Sequence, residues 1–330
     1  MDSKAITRAT RSVLAVIALC LVSFFSAAAD LPVVKVGVLK FGTINWEMDV
    51  IKRYKLDEKN GFDLEVIPLA AKNASSVALQ GGAVDVIFSD WVWVSRQRAA
   101  GKTYTLSPTS ATAGGLFAAA EIEMSSPCDL DGAELGIAGG SVDKTWLMYQ
   151  AYCKATENRD ISAITEQQFV APPLLNKLMM QQKLPVGINF WHYGARLKAA
   201  GFKPVISLDE IVSGLGIDAQ VPMLGWVFDE KWAEENPKLV SAFLNTSDQA
   251  RQILQTSDEE WDIIRPLTKA ENDAVFEALR SAYRSGFSGT FGAEQLNAAT
   301  QIFDILAKEG GPKLVGKSST LSDGTFWMPQ

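Results

Sequence analysis

The chain has 330 residues, a formal net charge of −7 and 47% apolar residues, enough length for two domains of ordinary size and enough apolar content for two cores. No Lys/Arg stripe runs through it, and the acidic balance argues against nucleic-acid binding. A single histidine, His192, excludes a His-rich metal site and leaves a Ser-His-Asp triad only one centre to form around.

The first residues set the compartment. Lys4, Arg8 and Arg11 precede an apolar-rich run from Val13 to Phe25, and Ala27-Ala28-Ala29 stands before Asp30. That order reads as a secretory signal peptide cleaved after Ala29, since the run is shorter than the roughly 20 residues a spanning helix needs. Cys20 follows Leu19, where a lipoprotein site needs a small residue, so it belongs to the discarded peptide. Removal of residues 1–29 takes away Asp2 and three basic residues, a net +2, so −7 becomes −9 in the mature chain. A soluble, periplasmic, monomeric protein is expected.

From Val33 onward, strand and helix signals alternate. Val33 to Leu39 reads as a buried strand, Ile44 to Tyr54 has helical spacing of Ile44, Met48 and Ile51, and Phe62 to Pro68 is a second strand. Ala74 to Gln80 is a short helix, Val84 to Phe88 a third strand, and Trp91 to Ala100 a helix. Thr105 to Gly115, rich in Ser, Thr, Pro and Gly, reads as a crossing segment. A new series follows: a strand at Leu135–Ala138, a helix at Ser141–Ala155, a strand at Gln168–Ala171 and a helix at Pro172–Gln182. Val186–Trp191 is a strand, Tyr193–Ala200 a helix and Val205–Leu208 a strand. Gly214, Gly216 and Pro222 mark a second crossing, Met223–Phe228 a returning strand, and the rest is mostly helical. Such alternation implies parallel βαβ units and an α/β fold. The simplest architecture is residues 30–115 plus 215–330 as one lobe and 116–214 as a second.

Cys128 and Cys153 remain after cleavage, an even pair in an oxidising compartment. Cys128 precedes the Leu135 strand and Cys153 lies near the end of the following helix, which returns towards the strand's beginning. One disulfide is expected.

In open parallel sheets, ligands bind beyond the carboxyl ends of strands. The turns there are unusual in content: Gly42-Thr43-Ile44-Asn45-Trp46, Ser89-Asp90-Trp91, Gly139-Gly140-Ser141-Val142-Asp143 and Trp191-His192-Tyr193. Asp90, Ser141 and Asp143 fit helix capping as well as ligand contact. Trp91 and Trp93 point about 200° apart on a helix, so at most one faces a cleft. His192 beside a helix start suits a structural hydrogen bond as well as a ligand role. No Walker loop, G-x-S-x-G elbow, H-E-x-x-H or C-x-x-C occurs, and no catalytic residue, metal or cofactor is expected.

Four segments carry a family resemblance: Lys35-Val36-Gly37-Val38, Gly82-Ala83-Val84-Asp85-Val86, Asp129 through Ile137, and Asn236 through Leu244. In their order the chain resembles the periplasmic binding proteins of the sulfonate, taurine and nitrate importers and their relatives that bind thiamine-precursor pyrimidines. The resemblance implies a two-lobed type II periplasmic-binding fold with a central ligand cleft, C-terminal helices on the first lobe, and docking on the membrane permease of an ABC importer. By analogy, ligand-facing positions fall on Asn45, Trp46, Ser89, Asp90, Trp91, Gly140, Ser141, Trp191 and His192.

The expected ligand is a small, planar or aromatic nitrogenous solute, with Asp90 neutralising an amine and aromatic walls burying the flat faces. A small oxyanion such as a sulfonate, bound at helix N-termini, is the alternative ligand. An enzyme of thiamine-precursor chemistry using His192 is a second class, although the cysteine-rich segment of the related yeast enzymes is absent. A periplasmic ligand sensor is a third.

Overall fold

The computed structural model describes residues 31–287, 289 and 291–328, so the expected signal peptide lies outside the described residues. Within them no helix is long and apolar enough to cross a membrane.

Two five-stranded sheets organise the chain. The first contains β1 (Val33–Leu39), β2 (Asp63–Leu69), β3 (Val86–Asp90), β4 (Tyr104–Ser110) and β10 (Leu224–Asp229) in the order β2-β1-β3-β10-β4. The second contains β5 (Gly115–Ala118), β6 (Glu134–Ala138), β7 (Glu166–Val170), β8 (Val186–Asn189) and β9 (Lys203–Ser207) in the order β7-β6-β8-β5-β9. Each sheet has a parallel core of three strands, with one strand inserted antiparallel: β10 against β3 and β4, and β5 against β8 and β9. The inserted strand in each case is the one that follows a crossing. Two lobes result, lobe 1 built on the first sheet and lobe 2 on the second.

The helices are α1 (Ile44–Tyr54), α2 (Leu56–Lys59), α3 (Lys72–Gln80), α4 (Trp91–Ala99), α5 (Lys144–Glu157), α6 (Ile161–Ile164), α7 (Pro172–Met180), α8 (Trp191–Ala199), α9 (Leu208–Gly214), α10 (Glu230–Glu235), α11 (Pro237–Thr256), α12 (Asp258–Thr268), α13 (Asp273–Ser285) and α14 (Ala293–Val315). Val34, Val36 and Val38 of β1 are buried with Ile44, Met48 and Ile51 of α1, the period-2 and helical patterns meeting in one core. Helices α11 and α12 pack on α1, while α13 also covers α8, and α14 lies against both α4 and α5. The C-terminal helices therefore touch lobe 2 as well as lobe 1.

Several boundaries differ from the sequence reading. Thr105–Gly115 is not one crossing: Tyr104–Ser110 forms β4, and the chain passes between sheets at residues 111–114. Pro108 is tolerated there because β4 is an edge strand. Strand β5 follows at once, and its first residue, Gly115, belongs to the Gly114-Gly115 pair that reads as loop. Gly214 ends α9 rather than marking a loop, and that helix starts with a capping box between Ser207 and Glu210. Helix α8 begins at Trp191, two residues earlier than its periodicity suggested. Cys128 and Cys153 form the disulfide, with Cα atoms 5.7 Å apart.

Candidate functional site

Between the two sheets lies a cavity of roughly 250 Å³, lined from lobe 1, from the crossings and from lobe 2. Its position follows from topology: β1, β3, β6 and β8 all end there, and the next helix begins at its wall. Helices α1, α3, α5 and α8 each contribute N-terminal residues to the lining, and α4 is represented by its N-cap, Asp90. Asp90 caps α4 through the Trp93 N–H (2.9 Å), and Asp143 caps α5 through the Trp146 N–H (3.1 Å). Among the described residues no side chain caps α1, α3 or α8. The partial positive charge at those three helix ends is left to solvent or to a ligand.

Asp90 is the electrostatic centre. Its Oδ2 lies 3.3 Å from Lys72 Nζ of α3 and 3.3 Å from Lys144 Nζ of α5, so one buried carboxylate is shared by lysines from opposite lobes. Burial alone would raise its pKa, but Lys144, Lys72 and the Trp93 N–H together hold it well below the usual carboxylate range. Asp143 is shifted the other way, since burial outweighs the Trp146 N–H and the two lysines. The glycine pair before α5 is required by backbone geometry: Gly139 and Gly140 have φ of +86° and +89°, and a Cβ on Gly139 would stand 2.8 Å from Asp143 Oδ2.

Phe88, Phe190, Trp191 and His192 are the aromatic part of the wall. Trp191 of lobe 2 sets its ring edge-on to Trp46 of lobe 1, with centroids 6.0 Å apart. It also approaches Tyr283 at 6.4 Å, and Trp46, Tyr283 and Trp261 pack together behind it. His192 lines the cavity beside Phe190 and Trp191. Burial, with Arg196 nearby, pushes its imidazole down to about 4, so it is neutral at physiological pH. Its Nδ1 has no hydrogen-bond partner among the described residues.

Of the nine positions expected to face ligand, Ser89, Asp90, Trp191 and His192 line the cavity. The other five do not. Asn45 donates from Nδ2 to the carbonyls of Leu39 (2.8 Å) and Gly42 (2.7 Å), fixing the β1–α1 turn. Trp46 is buried, its Nε1 directed to the Leu267 carbonyl, and it supports Trp191 from behind. Trp91 is fully buried against Phe303 and Phe326, on the side of α4 away from the cleft. Gly140 and Ser141 shape the turn into α5 without lining the cavity. The sequence reading missed Lys72, Lys144, Phe88, Phe190, Thr112 and Met223. Lys144 had a detectable signal, as the first helical residue after a glycine turn and a capping Asp. Among the described residues no group of three His, Cys, Asp or Glu is placed to hold a metal ion.

No protein-family profile and no curated relative matches the sequence. Solved structures do match in fold. The aliphatic sulphonate binding protein SsuA of Escherichia coli superposes with a TM-score of 0.70 at 14% identity, over 90% of this chain and 92% of that one. The alkanesulfonate-binding protein SsuA of Xanthomonas axonopodis pv. citri, solved bound to MOPS, gives 0.67 at 15% identity, over 91% and 99%. The nitrate-binding protein NrtA of Synechocystis PCC 6803 gives 0.53 at 14% identity, over 80% and 74%. The chain has the two-lobed α/β fold of these periplasmic binding proteins.

Proposed function

We propose that this chain is the periplasmic substrate-binding component of an ABC importer. It captures, between its lobes, a small solute that joins a flat or apolar body to an oxyanion such as a sulfonate or carboxylate, and hands it unchanged to a membrane permease. The carrying observation is the donor excess of the cavity. Lys72 and Lys144 share the carboxylate of Asp90, the second lining carboxylate, Asp143, caps α5 and is pushed up by burial, and α1, α3 and α8 present N-termini without a side-chain cap at the same wall. Each lysine has three N–H donors and spends one on Asp90, so both keep donors for an anion. Asp90 is a poor partner for an amine, because Oδ1 already accepts from Trp93 and Oδ2 pairs with both lysines. That favours the anion over the nitrogenous cation. Phe88, Phe190 and Trp191 suit an apolar body.

The test is calorimetry on the mature protein with alkane- and arene-sulfonates, the matching carboxylates and an aminopyrimidine. Binding of an anion series with micromolar or tighter affinity, and none of the aminopyrimidine, supports the reading. Binding of the amine alone rejects it.

A further inference from the structure

Behind the ligand cavity is a smaller chamber of roughly 40 Å³. The two abut through a shared wall of Thr43, Ile44, Phe88, Thr112, Trp191 and Leu224. Their charged ends are distinct. Lys72, Asp90 and Lys144 line the larger cavity, whereas Glu47, Arg251 and Tyr283 line only the chamber.

Glu47 is 5% exposed. Its Oε1 accepts from the Tyr283 hydroxyl at 3.0 Å and the Ser247 hydroxyl stands close enough to favour the charged carboxylate, while Oε2 meets no donor in hydrogen-bonding geometry among the described residues. A buried carboxylate oxygen without a donor is costly and uncommon in folded proteins. Arg251, also buried, donates from Nη1 to Asp248 at 3.2 Å and turns its guanidinium over the Phe287 ring. The chamber thus sets an acceptor beside a cation. Arg251 disfavours an ammonium there, and Glu47 disfavours a second oxyanion. A group that donates and accepts at once satisfies both, and a hydroxyl is the smallest that does so.

We propose that this chamber is a second subsite that takes a terminal hydroxyl of the solute. The preferred ligand then carries an oxyanion at the lysine end and a hydroxyl at the Glu47 end, joined by an apolar segment that passes the shared Ile44, Phe88 and Trp191, the neck of the proposed site. The inference rests on the anion reading above. The protonation of Glu47 is compatible with it: burial raises the carboxyl to about 7 against the opposing effects of Arg251, Tyr283 and Ser247, with Asp248 adding to the rise. Either form of the carboxyl can bond a hydroxyl.

The experiment is titration calorimetry of the mature chain with unbranched alkane-1-sulfonates of two to six carbons and their ω-hydroxy counterparts. At the chain length that spans the neck, the hydroxyl tightens binding by about tenfold, as a hydrogen bond to a charged group does. Shorter members show no gain. In Glu47→Leu, checked for folding by circular dichroism, the ratio at the spanning length falls to about one. If plain sulfonates bind and no hydroxyl helps at any length, the subsite is rejected and the anion reading stands. If neither series binds, both are rejected. A gain undiminished in Glu47→Leu also overturns the subsite. The wild-type series decides the matter even if the variant does not fold.

Discussion

Lys144 and Asp90 meet across the cleft, the Nζ of one on lobe 2 lying 3.3 Å from the Oδ2 of the other on lobe 1. The pair ties the lobes together while leaving most of the lysine's donors free. An anion entering the cavity would compete with Asp90 for both lysines. Lys144→Gln is therefore expected to weaken sulfonate or carboxylate binding by about tenfold or more. Asp90→Asn keeps the α4 cap and frees both lysines, so it should tighten the same anion. Calorimetry on the two variants reads the signs. The reverse pattern, loss of affinity in Asp90→Asn with gain in Lys144→Gln, would mark a cationic ligand.

Trp191 and Trp91 should separate cleanly. Trp191 sits on the cavity wall and reaches into the aromatic cluster of lobe 1, so Trp191→Ala should lose about tenfold in affinity and shift the balance towards the open form. Trp91 packs against Phe303 and Phe326 with no exposed surface. Trp91→Ala should cost about 3–5 kcal/mol of stability through the cavity it leaves. Its folded fraction should bind nearly as wild type. Urea unfolding and calorimetry on both proteins check the contrast.

Glu47 gives stability a pH dependence of defined sign. Its folded-state carboxyl lies at about 7 against an ordinary 4.5, so the native state binds the proton more tightly than the unfolded chain. Its contribution is fully present below about 4.5 and is lost as pH rises through about 7. Raising the pH from 5 to 8 should therefore change the stability of Glu47→Gln relative to wild type by roughly 3 kcal/mol in the variant's favour. His192 acts oppositely, since its folded pKa of about 4 lies below 6.5 and its share of stability is lost as pH falls through that interval. Urea titrations of wild type and Glu47→Gln at pH 5 and pH 8 measure the difference. A constant gap between the two proteins would contradict the assignment.

The Cys128–Cys153 bond closes a sequence separation of 25 residues and staples the start of β6 to the end of α5. In the chain-entropy account a loop of this size is worth about 3 kcal/mol. The Cys128→Ser/Cys153→Ser double variant should lose about that much. Mature protein denatured without reductant should show no free thiol, by titration or by mass.

The repeating strand–helix order was legible because parallel strands buried on both faces read as short apolar runs, as Val36–Val38 and Val86–Phe88 do. Strand β4 was not, because an edge position admits Ser, Thr and Pro108, and those residues also compose loops. Strand β5 spans only four residues, Gly115–Ala118, too few for a period to show. At the site, strand-end topology drew attention to the turns after β3 and β8, whose Ser89, Asp90, Trp191 and His192 line the cavity. It could not choose among neighbouring side chains. Successive helical residues turn by about 100°, so Asp90 and Trp91, adjacent in sequence, face the cleft and the core respectively. Lys72 and Lys144 escaped notice because a lysine in a first helical turn has the same appearance on a solvated face as beside a buried carboxylate. Only the approach of α3 and α5 to Asp90 separates the two cases, and that approach is a property of the tertiary structure.

Strand β10 lies between β3 and β4, yet it comes after the whole of the second sheet in the chain. Until residues 224–229 are made and delivered, β4 has no place in its own sheet, and the first half can assemble only β2, β1 and β3. The second sheet draws all its strands from residues 115–207 and meets no such wait. Pairing across so long an interval carries a larger loop-closure cost and a slower rate. During refolding, amides of β5, β6 and β8 should gain protection from exchange before those of β4 and β10. The inserted half leads, and the half that begins the chain is the last to be completed.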